Sequence, residues 1–490
     1  MSSSSSSSAS LSPLQSQESS DMVAGKTVAI IGGGLAGSEA ALQLAKRGVR
    51  VTLFEMKPTK KSPAHHEDTL AEIVCSNSFG SLGDTTASGL LKQELDLLQC
   101  ELIGLAHQIA VPAGKALAVD RVQFSQRVTE RVDANPLIER RDEEVTDLES
   151  VRHQFDVVIL ATGPLTTDAL AQSMSQLIER ERLFFFDAAA PIVTRDSVDM
   201  SIAFVQDRYG NQEGEASEAA GDSYINCPMN KEEYEALVQF MLTSEKTELK
   251  DFEKKTPFFE SCMPVEVIAS RGPETLRFGP MKPKGLTDPR TDKMPYAVVQ
   301  LRQDNREGTL YNLVGFQTNI KWGDQKTMIQ MIPGLGHADV VRFGVMHRNT
   351  YLHSPEVLEP TLQLKKHPHV LVAGQLTGTE GYTESIATGL LAAINAFQLI
   401  HDEEPKVLPV DTMLGSLTRY ITRDEAVGKS FQPINSNWGI LPPLPDSLGL
   451  KRKKDKRERN KHYVERAKAS LTQLLTELGM DSGTLVPMGG

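Results

Sequence analysis

The chain has little cysteine, no excess of positive charge and no long apolar run, and each shortage removes a class of protein. Four cysteines in 490 residues do not make the disulfide framework of a small secreted scaffold. They suit a reducing compartment, with thiols available for chemistry. No C-x-x-C pair or His/Cys cluster is present, so no structural zinc or other metal site is expected. No apolar stretch reaches the ~18 residues of a membrane span, and no membrane partner is expected. The formal net charge of −12 argues against a generally basic nucleic-acid coat but leaves room for a local basic patch. Met1 to about Asp21 is serine-rich and lacks an apolar core and early basic residues. It reads as a disordered tail rather than a secretory signal, with a transit peptide as the alternative.

What is present is organised around Lys26–Met56. Thr27–Ile31 is a short β-branched apolar run suited to a strand buried on both faces. It leads into Gly32, Gly33, Gly34, Leu35, Ala36 and Gly37, where Gly32, Gly34 and Gly37 have the G-x-G-x-x-G spacing. A helix follows to about Lys46, then a second strand, Val49–Glu55. Gly32 permits a tight turn, Gly34 lets backbone approach a pyrophosphate, and Gly37 brings helix and sheet together. The N–H groups at the helix start hold phosphates, and Glu55 is placed to accept from ribose hydroxyls. Strand, glycines, helix, strand and acid in register indicate a dinucleotide site, without deciding between FAD and NAD(P).

Further along, Ala71–Ser81 carries Cys75 among small polar residues. Ala87–Ala110 reads as one leucine-rich buried helix with Cys100 in its core, and Arg121–Val132 as an amphipathic helix. A second buried strand, Phe155–Thr162, closes on Ala161-Thr162-Gly163, and Leu183–Val193 is an apolar, strand-like segment. From about Asp196 to Gly323 short strands, prolines and acidic loops replace βαβ units, which predicts an inserted α+β domain. It holds Cys227, just before a helix start at which Asn230 and Glu233 have capping-box spacing. There the helix dipole would favour a thiolate. Cys262 in the same insertion is intermediate between core and function. A third buried strand, His369–Gly374, enters a Gly/Thr-rich turn and a helix from about Glu384, so the nucleotide fold resumes. Lys451–Lys461 is a basic run in an acidic chain, read either as a solvated helix start or as a phosphate contact.

The segments IGGGLAGSEAA, AEIVCSNS, INCPMNKEEY and AGQLTGTEGYTESIATGLLAA resemble the signatures of the TrmFO family, the folate- and FAD-dependent tRNA uracil-5-methyltransferases. The first and last are shared with the larger GidA/MnmG group. The resemblance runs from Thr27 to about Leu441. It implies an α/β, Rossmann-like FAD-binding domain, glutathione-reductase-like, interrupted by the α+β insertion. The expected division is a tail at 1–24, FAD-binding parts at 25–195 and 324–445, the insertion at 196–323, and a basic helical tail at 446–490.

The same resemblance implies a cytoplasmic enzyme that methylates C5 of the T-loop uridine in tRNA. Carbon comes from methylenetetrahydrofolate and electrons from reduced FAD, with NAD(P)H reducing the flavin. FAD contacts fall on Gly32 to Gly37, Glu55, Thr162, Gly163, Gly374, Gln375, Gly381 and Tyr382. Uracil C5 is a poor nucleophile until a thiolate adds at C6, and a base must then remove the C5 proton. The carry-over makes Cys227 the nucleophile and Cys75 its partner, the reverse order being chemically reasonable. His347, Arg348 and Asn349 are folate candidates or a surface turn, with Trp322 and Arg271 weaker ones. The alternatives are a GidA/MnmG-like wobble-uridine flavoprotein, a small-molecule FAD/NAD(P) oxidoreductase, for which no Cys-x4-Cys motif is present, and a non-catalytic flavin-containing tRNA-binding protein.

Overall fold

A computed structural model describes residues 25–62, 64–179, 183–188, 190–208, 224–247, 263–344, 346–427, 431–450 and 456–477. The serine-rich start, Cys262 and residues 451–455 of the basic run lie outside the described residues.

Strand β1 (Val28–Ile31) is buried along its whole length. Val28 and Ile30 enter one core, Ala29 and Ile31 another, so this strand lies mid-sheet with both faces covered. Helix α1 (Leu35–Lys46) follows, and β2 (Val51–Phe54) pairs parallel to β1. The leucine-rich stretch expected as one helix is two, α2 (Ala87–Leu97) and α3 (Glu101–Gln108). Gln99 takes a positive φ of 54° between them, and Cys100 becomes the buried N-cap of α3. Helix α4 (Arg121–Asp133) is capped by Asp120, whose carboxylate accepts from the N–H groups of Val122 and Gln123. Strands β3 (Ile138–Arg141) and β4 (Val157–Leu160) extend the sheet in parallel.

The apolar segment 183–193 splits into β5 (Leu183–Ala188) and β6 (Ile192–Thr194). With β6 a second unit begins: β7 (Phe204–Val205), β8 (Tyr224–Met229), α5 (Lys231–Thr243), β9 (Ala297–Gln303), β10 (Leu310–Leu313), α6 (Trp322–Gln330) and β11 (Val340–Arg342). Its sheet is antiparallel, in the order β7-β8-β9-β10-β6-β11. This unit extends beyond 196–323 at both ends. Val193 belongs to its core, as do Met328, Ile329, Ile332, Leu335 and Ala338. The far boundary is hidden in sequence because β11 is a three-residue edge strand with no fully buried side chain.

The chain returns through β12 (Met346–Tyr351), which pairs antiparallel with β5 as a two-stranded ribbon joining the units. Strands β13 (Gln363–Leu364) and β14 (His367–Val372) complete the first sheet in the order β13-β14-β4-β1-β2-β3. Helix α7 (Tyr382–Ile400) then packs on α1 so closely that a Cβ on Gly389 would stand 2.3 Å from the Ala36 carbonyl oxygen. It is long and apolar enough to cross a membrane, but 78% of that stretch is buried inside the protein. Helix α8 (Met413–Ile421) lies against α2. Helix α9 (Lys456–Glu477) is not a tail: Tyr463, Val464, Ala467, Leu471 and Leu475 are buried in the first unit's core.

Candidate functional site

The sheet order reverses at β1, and there the glycine turn opens a cleft. Gly32 takes φ of 103°, and a Cβ there would meet the Ala161 carbonyl oxygen at 2.6 Å. A Cβ on Gly37 would stand 1.8 Å from the Gly32 carbonyl oxygen, so this glycine locks helix to turn. Gly34 differs from both: nothing lies within 4 Å of its Cβ position, which opens on the cleft. It is the N-cap of α1, and no side chain caps that helix start. The first-turn amides and the macrodipole are therefore left for an anion.

Of the expected cofactor residues, Gly32, Gly34, Leu35, Ala36, Glu55, Thr162, Gly163, Gly374, Gln375 and Tyr382 line this cleft. Gly33, Gly37 and Gly381 do not. Gly33 stands behind the wall, where its N–H donates to Glu55 Oε2 at 2.9 Å. The second oxygen of Glu55 accepts from Lys57 N–H, also at 2.9 Å. The acid thus braces the turn as well as facing the cleft. Gly381 is the N-cap of α7, again without a side-chain cap. One open helix start, a backbone-close glycine and a braced carboxylate fit a dinucleotide such as FAD.

Cys75 is brought to this cleft. Its N–H donates to Tyr382 Oη at 2.8 Å, and Val74 and Tyr382 both line the cleft wall. The side chain is partly exposed. Two arginines hold the carbonyls just before it: Arg121 donates to Ile73 O at 3.1 Å and Arg342 to Val74 O at 2.8 Å. Arg121 also bonds Asp304 at 2.6 Å, at the end of β9. Asn77 donates to Gln303 O and accepts from Arg302 Nε, and Asp120 accepts from Arg306 N–H. Cys75 therefore lies where the two units meet. Burial and the neighbouring Arg121 guanidinium push the Arg342 pKa down.

Cys227 does not stand at a helix start. It occupies the middle of β8, opposite Val299 of β9, three residues before the N-cap. The Asn230–Glu233 capping box does form, with bonds of 2.8 and 2.9 Å. Strand alternation sends Ile225, Cys227 and Met229 into the insertion's core, where Cys227 is fully buried. Burial pushes its thiol up to about 12.

The segment His347–Asn349 is part of strand β12, not a turn, because it pairs with Phe185–Asp187 of β5. Asn349 is buried, and the next residue's N–H donates to Pro164 O at 2.8 Å. That bond sets the strand beside the Thr162–Pro164 turn of the cleft. Trp322, 62% exposed, stacks on Phe343 with rings 5.9 Å apart, while Arg271 ends a short helix on the insertion. Sequence reasoning missed Arg121 and Arg342. Arg121 carries only the signal of following an N-cap, and Arg342 none.

The model of the glucose inhibited division protein A family matches residues 27–404. A methylenetetrahydrofolate-tRNA-(uracil-5-)-methyltransferase TrmFO of Listeria innocua is 50% identical over 453 residues, 92% of this chain and all of that protein. One of Lysinibacillus sphaericus with the same name is 51% identical over 442 residues, 90% of this chain and 96% of its own. Among solved structures, Aquifex aeolicus GidA superposes with a TM-score of 0.64 at 18% identity, over 92% of this chain and 76% of that one. That likeness supports the fold. The signatures quoted from the sequence, the cleft at the reversal of strand order and identity near one half over almost the whole length agree: the chain belongs to the TrmFO family within the GidA group.

Proposed function

We propose that this protein methylates C5 of a uridine in the T-loop of tRNA, using methylenetetrahydrofolate as carbon donor, with FAD in the β1 cleft and NAD(P)H as the source of electrons. Among the described thiols, Cys75 is the one that reacts. The carrying observation is its position: partly exposed, tied to the cleft wall through Tyr382 Oη, and at the junction with the insertion. Cys227 is enclosed in an apolar core and serves packing. This reading reverses the order favoured from sequence.

Addition of the Cys75 sulfur to uracil C6 makes C5 enolate-like, and C5 then attacks the methylene carbon of the folate. Loss of the C5 proton then expels tetrahydrofolate and leaves an exocyclic methylene at C5, with the sulfur still on C6. Reduced FAD, bound in the cleft, would supply the hydride that turns this methylene into methyl, and the sulfur then leaves C6 as the ring double bond reforms. The protein's own groups orient these partners. The α1 helix start binds phosphate, Glu55 faces a ribose, and Tyr382 fixes the backbone of Cys75. Strand β12, beside the Thr162–Pro164 turn, carries His347, Arg348 and Asn349, the candidates for folate.

With 5-fluorouracil at the target position the C5 proton cannot be lost, so a thiol–RNA adduct accumulates. Peptide mapping is expected to find it on Cys75. Cys75→Ala should abolish the adduct and the methylation while flavin remains bound. An adduct on Cys227 would return the order favoured from sequence, and no adduct would remove thiolate addition altogether. The wobble-uridine reading is less favoured, since the full-length relatives at about 50% identity are named as uracil-5-methyltransferases.

A further inference from the structure

Trp322 opens α6 and is left 62% exposed, although indole is among the largest apolar side chains. Its ring stacks on Phe343, with centroids 5.9 Å apart and planes 15° from parallel, an offset arrangement that aromatic pairs prefer. The pair is held by a buried support. Gln325, one turn along α6, donates to Gly344 O and accepts from Gly344 N–H, both at 2.8 Å. It also donates to Ile320 O at 2.6 Å. One buried amide thus ties the residue after Phe343 to the start of the helix that carries Trp322.

Phe343 covers one face of the indole, so the exposure belongs to the other. The ground beside that face is open, since nothing lies within 4 Å of the Cβ position of Gly323. The adjacent Lys321 is paired with Glu245 at 2.7 Å, and the surface offers a flat apolar ring rather than a phosphate grip. It is also continuous with the candidate site. Phe343 follows Arg342, whose guanidinium donates at 2.8 Å to Val74 O, directly before Cys75. Yet neither Trp322 nor Phe343 lines the dinucleotide cleft, where a folate has to lie for its carbon to meet the flavin.

We propose that Trp322, backed by Phe343, is a stacking platform for an unpaired base in the tRNA loop that holds the target uridine. The proposal deepens the reading of tRNA as the substrate and rests on it. A base reaches an enzyme's reacting groups only once it has been turned out of its stack, and its neighbours then lose a stacking partner. An exposed aromatic ring replaces that partner in single-stranded RNA recognition, because every base has a π-face. Such a platform holds the loop open beside Cys75 without reading its sequence.

The test is equilibrium binding of an unmodified tRNA transcript to the flavin-loaded protein, without folate, at several salt concentrations. Trp322→Ala should weaken binding about tenfold, while Trp322→Phe, which keeps a ring, should stay within about threefold of the parent. The log–log salt slope should be the same in all three proteins, because no phosphate contact is lost. Flavin content and the KM for methylenetetrahydrofolate should not move. Transcripts with single abasic sites in the T-loop locate the base: one of them should bind the parent about tenfold more weakly and bind Trp322→Ala as the intact transcript does. Unchanged tRNA affinity in Trp322→Ala overturns the platform, as does equal weakening in the Ala and Phe variants or a flattened salt slope. A raised folate KM with tRNA affinity intact also overturns it, by giving the ring to folate. Binding needs no methyl transfer, so the two readings fail separately: coupling confined to abasic sites outside the T-loop would keep the platform and overturn the T-loop target.

Discussion

At the scale of single residues, three glycines spaced alike have different physical duties. A Cβ on Gly37 would lie 1.8 Å from a backbone oxygen, whereas one on Gly34 meets nothing within 4 Å. Gly34→Val is therefore expected to fold, with stability within about 1 kcal/mol of the parent, yet to lose most of its flavin because the side chain fills the phosphate approach. Gly37→Ala should cost about 2 kcal/mol or more, since helix and turn must part. Denaturant unfolding and flavin absorbance measure the two effects separately. A Gly34→Val protein that keeps full flavin would remove the cleft assignment. The cysteines differ too: Cys75 precedes Ser76 and Asn77 and is partly exposed, whereas the pleat of β8 turns Cys227, between Asn226 and Pro228, into the insertion's core.

At the scale of elements, a buried acid couples two helices. Glu94 on α2 accepts from the N–H groups of Met413 at 2.6 Å and Leu414 at 3.0 Å, so it caps the start of α8 from outside. Burial, opposed by those two backbone bonds, pushes its carboxyl from 4.5 up to about 8. The folded state then keeps a proton that the unfolded chain releases between those values. Its contribution is most favourable below pH 4.5 and falls as pH rises towards 8. From pH 5 to pH 7 the loss is on the order of 2 kcal/mol. Glu94→Gln carries no such titration, so its stability deficit against the parent should narrow as pH rises through this window. Urea melts at pH 5, 6 and 7 read it; a constant gap would mean that Glu94 is ionised throughout.

At the scale of the whole molecule, an acidic chain must receive a polyanion. Helix α9 resolves part of this. Its apolar side packs on the first unit, and Lys456, Arg457 and Lys461 remain exposed near its start. The N-terminal end of the helix dipole adds to their charge. If this surface meets tRNA phosphates, neutralising these three residues should flatten the log–log salt dependence of binding, by roughly 0.9 for each duplex phosphate that they engage. Docking of α9 and flavin content should not change. An unaltered slope returns the segment to a solvated helix start.

The sequence alone determined the nucleotide-binding half, because its signals are local. Apolar runs, glycine spacing and an acid at a fixed offset depend on residues within about thirty positions, and the strand, turn and helix follow from them. The capping box of α5 was legible for the same reason. Where the insertion ends was not legible, since edge strand β11 has no buried pattern and its membership is set by pairing with β6. The surroundings of each thiol were decided only by tertiary structure. Exposure, strand facing and the arginines around Cys75 come from segments up to 268 residues apart in the chain, and an electrostatic environment exists only once those segments have been brought together.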